Sequence, residues 1–161
     1  MALVFVLASG MLKRGRTQLL DKKKAGVWRL PLGWMEEKMA EILTLDDVLD
    51  ATVLVGKILK KKGHVVHTFT EEDEAIAFAR QHHVDLAILD IKLKKMSGIE
   101  VLAILKEDNP LMRAIMLTGY PTVETAREAI SLGADEYCVK PIDRIELEEK
   151  VAKVLAAPSR A

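Results

Sequence analysis

The run Val84-Asp85-Leu86-Ala87-Ile88-Leu89-Asp90 limits the possible folds more than any other stretch of the chain. It is short and almost wholly apolar, the composition of a strand covered on both faces, and such strands belong to parallel sheets flanked by helices. It breaks off in a carboxylate. A side chain at the carboxyl end of a parallel strand stands at the mouth of the sheet, where α/β proteins bind ligands. An aspartate after a strand is also an ordinary loop residue. Asp90 therefore gains meaning only from what the other strand ends carry.

From Met39 onward the same arrangement recurs. Ile42-Leu43-Thr44-Leu45 reads as a strand that ends at Asp46-Asp47. Apolar residues at 51, 54, 55, 58 and 59 make a helical stripe over 50–62, closed by Lys60-Lys61-Lys62 and Gly63. A second strand is expected over 64–69. Thr70 should cap the next helix, whose first turn is Glu71-Glu72-Asp73-Glu74 and which runs to about Arg80. The third strand is 84–90. Ser97-Gly98-Ile99-Glu100 has the capping-box pattern and opens a helix that stops before Asn109-Pro110. A fourth strand, 114–117, ends at Thr118, and a helix from about Val123 stops at Gly133. Tyr137-Cys138-Val139 is the fifth strand, ending at Lys140-Pro141. Asp143-Arg144-Ile145-Glu146 is a second capping-box pattern, and its helix ends near Leu155. Strands alternating with helices at this spacing predict an α/β fold, a doubly wound five-stranded parallel sheet with five helices. The flavodoxin-like order 2-1-3-4-5 is expected, with its switch point between strands 1 and 3.

Half of the 161 residues are apolar, enough for one domain with a full core. Formal net charge is zero, so nothing marks the whole chain as a nucleic-acid binder. The balance is uneven, though: residues 1–38 hold eight Lys/Arg against three Asp/Glu, and both tryptophans, Trp28 and Trp34. The expected organisation is a basic, poorly ordered N-terminal extension over 1–38, the domain over 39–157 and a short tail over 158–161. The domain should fold from Met35 onward without the extension. The apolar segment 1–7 is far too short to span a bilayer and lacks a basic leader, so no membrane association is expected. The single cysteine, Cys138, excludes an internal disulfide and fits a reducing, cytoplasmic location.

The strand ends now assemble a constellation. Strand 1 supplies Asp46 and Asp47, strand 3 Asp90, strand 4 Thr118 and strand 5 Lys140. Strands 1 and 3 flank the switch point, so three carboxylates should converge there. Like charges so close need compensation, and Mg²⁺ with a few carboxylate, water and phosphate oxygens supplies it. A hydroxyl and an ammonium facing the same spot suit a phosphoryl group. The chemistry implied is phosphorylation of an aspartate.

This ordered set resembles the receiver domain of two-component response regulators. The matching residues are Asp46-Asp47, Leu89-Asp90-Ile91 with Met96 and Gly98, Leu117-Thr118-Gly119, and Tyr137-Cys138-Val139-Lys140-Pro141. The resemblance implies that Asp90 is the phosphoacceptor and that Asp46, Asp47, Asp90 and the backbone carbonyl of Lys92 hold Mg²⁺. It implies that Thr118 and Lys140 bind the phosphoryl group, that Thr118 and Tyr137 form the switch, and that the Lys140–Pro141 bond is cis. A sensor histidine kinase or histidine phosphotransfer protein would be the donor. A downstream protein would dock on the face of helix 4, strand 5 and helix 5, without direct DNA binding. Such a domain is no enzyme toward other molecules and catalyses only its own phosphorylation and dephosphorylation. With only 156–161 after the last helix, a stand-alone receiver of the chemotaxis or sporulation-relay type is expected.

Lys94 stands where the family often has proline, which should leave the loop after Asp90 looser and more basic. Two bulky residues, Lys92 and Tyr120, are placed to control water access to Asp90. Two rivals rank lower. A phosphatase with an aspartyl nucleophile resembles an Asp-x-Asp pattern, and here Lys92 occupies the second position. An unphosphorylated receiver-like scaffold would not need the full set Asp46, Asp47, Asp90, Thr118 and Lys140. His64, His67, His82 and His83 read as solvated or locally satisfied rather than as a metal site.

Overall fold

The computed structural model describes residues 39–158, which fall within the second of two units, Met35–Ala161. The extension over 1–38, with Trp28 and Trp34, and the tail beyond 158 lie outside the described residues. Ten elements alternate: β1 (Glu41–Leu45), α1 (Leu49–Lys61), β2 (Val65–Phe69), α2 (Glu72–Gln81), β3 (Leu86–Leu89), α3 (Gly98–Asp108), β4 (Arg113–Thr118), α4 (Val123–Ser131), β5 (Glu136–Val139) and α5 (Arg144–Ala156). The strands form one parallel sheet in the order β2-β1-β3-β4-β5, as the alternation predicts.

The two-residue period of a strand sorts the core into two layers. Leu43, Leu45, Ala87, Leu89, Ala114 and Met116 face the layer shared with α2, α3 and α4. Their neighbours Ile42, Leu86, Ile88, Ile115 and Leu117 face the other, where Leu59 of α1 and Leu147, Val151 and Val154 of α5 pack. The three central strands thus bury both faces, which is why their sequence is continuously apolar. Each fully buried leucine or isoleucine contributes about 1.5–3 kcal/mol relative to exposure. Cys138 lies in the second layer, and burial pushes its thiol up to about 11.

Local signals act mostly where expected. Ser97 accepts from Glu100 N while the Glu100 carboxylate accepts from Ser97 N, the full box at the start of α3. Gly63 and Gly133 take positive φ, 90° and 92°, past the ends of α1 and α4. Asp143 accepts from Glu146 N at 2.9 Å, one half of the expected box. Thr70 is not a cap: Glu71 holds that position, and α2 has no side-chain cap hydrogen bond. At α4 Thr122 and Thr125 cap each other in a box that the Ser-x-x-Glu pattern does not describe. β3 covers only Leu86–Leu89 of its apolar run, although at the ladder's entrance Asp85 N still donates to Glu41 O at 2.9 Å and the Asp85 carboxylate accepts from Glu41 N at 2.8 Å. The histidines are locally satisfied: His64 faces Ala40 N, His67 Glu41, His82 Phe78 O and His83 Asp85.

Candidate functional site

Register places the acidic residues. Leu45 of β1 pairs with Leu89 of β3, and Asp90 N donates to Leu45 O at 2.9 Å. The next residues, Asp46 and Asp90, therefore emerge side by side at the switch point. Val48 N donates to Asp46 Oδ1 and Ile91 N to Asp90 Oδ1, at 2.9 and 2.8 Å, so both carboxylates are oriented by backbone. Asp47 completes the group, with ligand oxygens of Asp46, Asp47 and Asp90 all within 4.8 Å of one another. Asp46 and Asp90 are buried and Asp47 is half-buried.

Lys140 arrives from the end of β5. Its ammonium donates to Asp46 Oδ2 and lies 3.2 Å from Asp90 Oδ2. Burial pulls this ammonium down, but the hydrogen bond to Asp46 and the charges of Asp90 and Asp46 prevail and hold it above the ordinary lysine range. One ammonium against three carboxylates leaves a double negative charge. Oxygen donors of this kind, partly open to water at Asp47, fit a hard divalent cation such as Mg²⁺. The Lys140–Pro141 peptide is cis, as the resemblance implies.

Thr118 ends β4 fully buried, its carbonyl accepting from Lys140 N at 2.8 Å and its Oγ1 from Tyr120 N at 3.1 Å. Tyr137 does not join the acidic cluster. Its ring packs on the α2–α4 layer and its hydroxyl pairs with Thr125 Oγ1 of α4 at 2.9 Å. Lys92 and Tyr120 meet: the Lys92 ammonium sits 4.3 Å from the centre of the Tyr120 ring.

The loop between β3 and α3 is tightly closed. Gly98 N donates to Ile91 O at 2.8 Å, and a Cβ on Gly98 would fall 1.9 Å from Asp90 O. Lys94 does not leave the loop slack. It pairs with Glu71 at 3.1 Å, Lys95 pairs with Asp73 at 2.6 Å, and Lys95 N donates to Glu72 Oε1 at 2.8 Å. Glu72 is the residue that sequence reasoning missed, since in an acidic first turn it looks like one more dipole-complementing charge.

A family model described as the response regulator receiver domain matches residues 42–152. The transcriptional regulatory protein ZraR of Salmonella typhimurium is 33% identical over 116 residues, which are 72% of this chain and 26% of ZraR. The photosynthetic apparatus regulatory protein RegA of Cereibacter sphaeroides is 32% identical over 106 residues, 66% of this chain and 58% of RegA. The chain thus spans about a quarter of the length of ZraR. Among solved structures, a CheY-like response regulator receiver domain protein from Methanospirillum hungatei matches with TM-score 0.71 and 32% identity, over 73% of this chain and 94% of that one. The chemotaxis protein CheY4 of Vibrio cholerae matches with TM-score 0.68 and 27% identity, over 72% and 98%. With the fold, the strand-end residues and the family match in agreement, the chain belongs to the receiver domain family of two-component response regulators.

Proposed function

We propose that this protein is a phosphoacceptor switch in a two-component phosphorelay, taking a phosphoryl group from a sensor histidine kinase or histidine phosphotransfer protein onto Asp90. The observation that carries this reading is the meeting of Asp46, Asp47 and Asp90 within 4.8 Å, with Lys140 bonded across Asp46 and Asp90. An Asp90 carboxylate oxygen forms the new bond to phosphorus while the donor's P–N bond breaks. Asp46, Asp47, Asp90 and the Lys92 carbonyl would hold Mg²⁺, which would supply positive charge for the phosphoryl oxygens. Lys140 and Thr118 bind those oxygens, and the protein catalyses only its own phosphorylation and dephosphorylation.

Thr118 then draws toward the phosphoryl group, and Tyr137 leaves Thr125 and turns inward. The face of α4, β5 and α5 responds, where Val123, Ile130, Val139 and Ile145 are exposed apolar residues suited to a protein partner rather than to DNA. Support for a CheY-like type comes from the solved receivers matched almost whole, whereas ZraR is a larger transcriptional regulatory protein and RegA a larger regulatory protein of the photosynthetic apparatus. A cytoplasmic setting is supported by the one buried free thiol, and no described helix is long and apolar enough to cross a membrane. The test is incubation with a small acyl phosphate. One alkali-labile phosphoryl group per chain is expected with Mg²⁺ and none after chelation; no labelling under either condition would leave the unphosphorylated scaffold as the better reading.

The lifetime of phospho-Asp90 should depend on the Lys92–Tyr120 contact. Hydrolysis requires a water in line with the breaking P–O bond, and the stacked pair narrows that approach. An exposed cation–π contact is worth about 0.5–1 kcal/mol, so Tyr120→Ala and Lys92→Ala should each speed dephosphorylation about two- to fivefold. The decay of labelled protein measures this. Unchanged or slower decay in Tyr120→Ala would show that the ring does not shield the site. A shielded phosphoryl group suits a relay or sustained signal.

A further inference from the structure

Glu72 opens α2, fully buried, more than twenty residues before the loop it contacts. A charged carboxylate is seldom buried without partners. Its Oε1 accepts from Lys95 N at 2.8 Å, while Oε2 makes no hydrogen bond. Burial pushes the carboxyl up, but the amides of Lys95, of Glu72 itself, of Met96 and of Lys94 together hold it below the ordinary range. The flanking ion pairs, Glu71 with Lys94 and Asp73 with Lys95, are exposed, and such pairs contribute little. Glu72 is thus the buried anchor of the loop's distal half. Its proximal half is pinned by the Gly98–Ile91 hydrogen bond and by Asp90 on Ile91 N. Lys92 lies between the two anchors.

We propose that Glu72 is a positioning residue for the acceptor site: by holding the backbone at Lys95 it fixes the loop that presents the Lys92 carbonyl beside Asp90. This rests on the reading of that site as an Mg²⁺-dependent phosphoacceptor. Groups that orient metal ligands without touching the ion typically change metal affinity 10–100-fold when removed. Glu72 acts one backbone segment further away, so the low end applies.

The experiment titrates the full chain with Mg²⁺ by calorimetry, for the parent, Glu72→Ala, Glu72→Gln, Glu72→Asp and Glu71→Ala. Amide exchange at Lys95 and thermal midpoints are measured beside it. Glu72→Ala should raise the Mg²⁺ Kd about tenfold and expose the Lys95 amide to exchange. Glu72→Gln keeps an acceptor oxygen at the same reach and should return to within about threefold of the parent. Glu72→Asp keeps the charge but falls one methylene short, and should resemble Glu72→Ala. Glu71→Ala removes only exposed pairs and should match the parent. A parent that binds no Mg²⁺ overturns the phosphoacceptor reading itself, and with it the role given to Glu72. A parent that binds, with Glu72→Ala binding equally well, overturns the positioning role alone. Should Glu72→Ala not fold, Glu72→Asp decides: weakened binding supports the role and parental affinity overturns it.

Discussion

Gly98→Ala is expected to cost the domain about 3 kcal/mol and to slow phosphorylation at least tenfold. The glycine is needed for close approach, not for an unusual φ. An added Cβ would lie 1.9 Å from Asp90 O, 2.8 Å from Asp90 C and 3.0 Å from Ile91 Cα. All three are backbone atoms, so no side-chain rotation can relieve the clash. Either α3 withdraws, breaking the Gly98–Ile91 hydrogen bond, or the segment carrying Asp90 moves. Overpacking commonly costs about 1–3 kcal/mol, and a contact with rigid backbone belongs at the upper end. Whole domains hold only about 5–15 kcal/mol. Misplacing a reacting group by about 1 Å can cost 10²-fold in rate. Urea unfolding and the initial labelling rate measure the two effects; a parental midpoint together with a parental rate would show that the loop accommodates the methyl group.

The second large effect concerns Lys140. In Mg²⁺-free buffer Lys140→Met should lose about 2 kcal/mol of stability, and saturating Mg²⁺ should close most of that gap. Removing one partner of a buried ion pair costs about 3–5 kcal/mol because the other charge is stranded. Here the Lys140 side chain is 25% exposed and water reaches Asp47, so the cost falls below that range. Asp46, Asp47 and Asp90 would then face one another without any cation. A bound divalent ion offsets the same charge; it stabilises the folded state of both proteins, but more that of the variant, where no ammonium competes for Asp46 and Asp90 and the ion binds more tightly. Parent and variant should therefore differ strongly without Mg²⁺ and weakly with it. An equal difference under both conditions would mean that Lys140 and the ion do not share an electrostatic role. If Lys140 binds the phosphoryl oxygens as proposed, the variant should also accept phosphoryl groups poorly, since it lacks the ammonium that lies on Asp46 and Asp90.

Most of the site was legible because it is made by strand ends. In a parallel sheet the carboxyl ends gather on one side, so finding the apolar runs was enough to bring Asp46, Asp90, Thr118 and Lys140 to the same edge. The Leu45–Leu89 pairing supplied the register that makes Asp46 and Asp90 neighbours. What was hidden depends on contacts between loops and helix starts, which no period describes. Glu72 and its neighbours Glu71, Asp73 and Glu74 look alike in sequence, yet only Glu72 is buried, because the β3–α3 loop folds over it. The same contact, rather than the exposed Lys94–Glu71 pair, ties down the loop in which Lys94 stands in place of a proline. Lys92 and Tyr120 were each placed near the site, but their stacking follows from side-chain reach across two loops. Thr70 failed as a cap because the chain enters α2 one residue later, with Glu71 extended at φ −120°.

The central claim is that Asp90 is the residue that carries the phosphoryl group. Its most direct test is peptide mapping by mass spectrometry after incubation with a small acyl phosphate and Mg²⁺, on the parent and on Asp90→Asn. Asparagine keeps the size of the side chain and removes only its nucleophilic charge. The account predicts one phosphoryl group in the parent, on the peptide containing Asp90, and none in the variant. Equal labelling of Asp90→Asn, or a phosphoryl group mapped to Asp46 or Asp47, would contradict it.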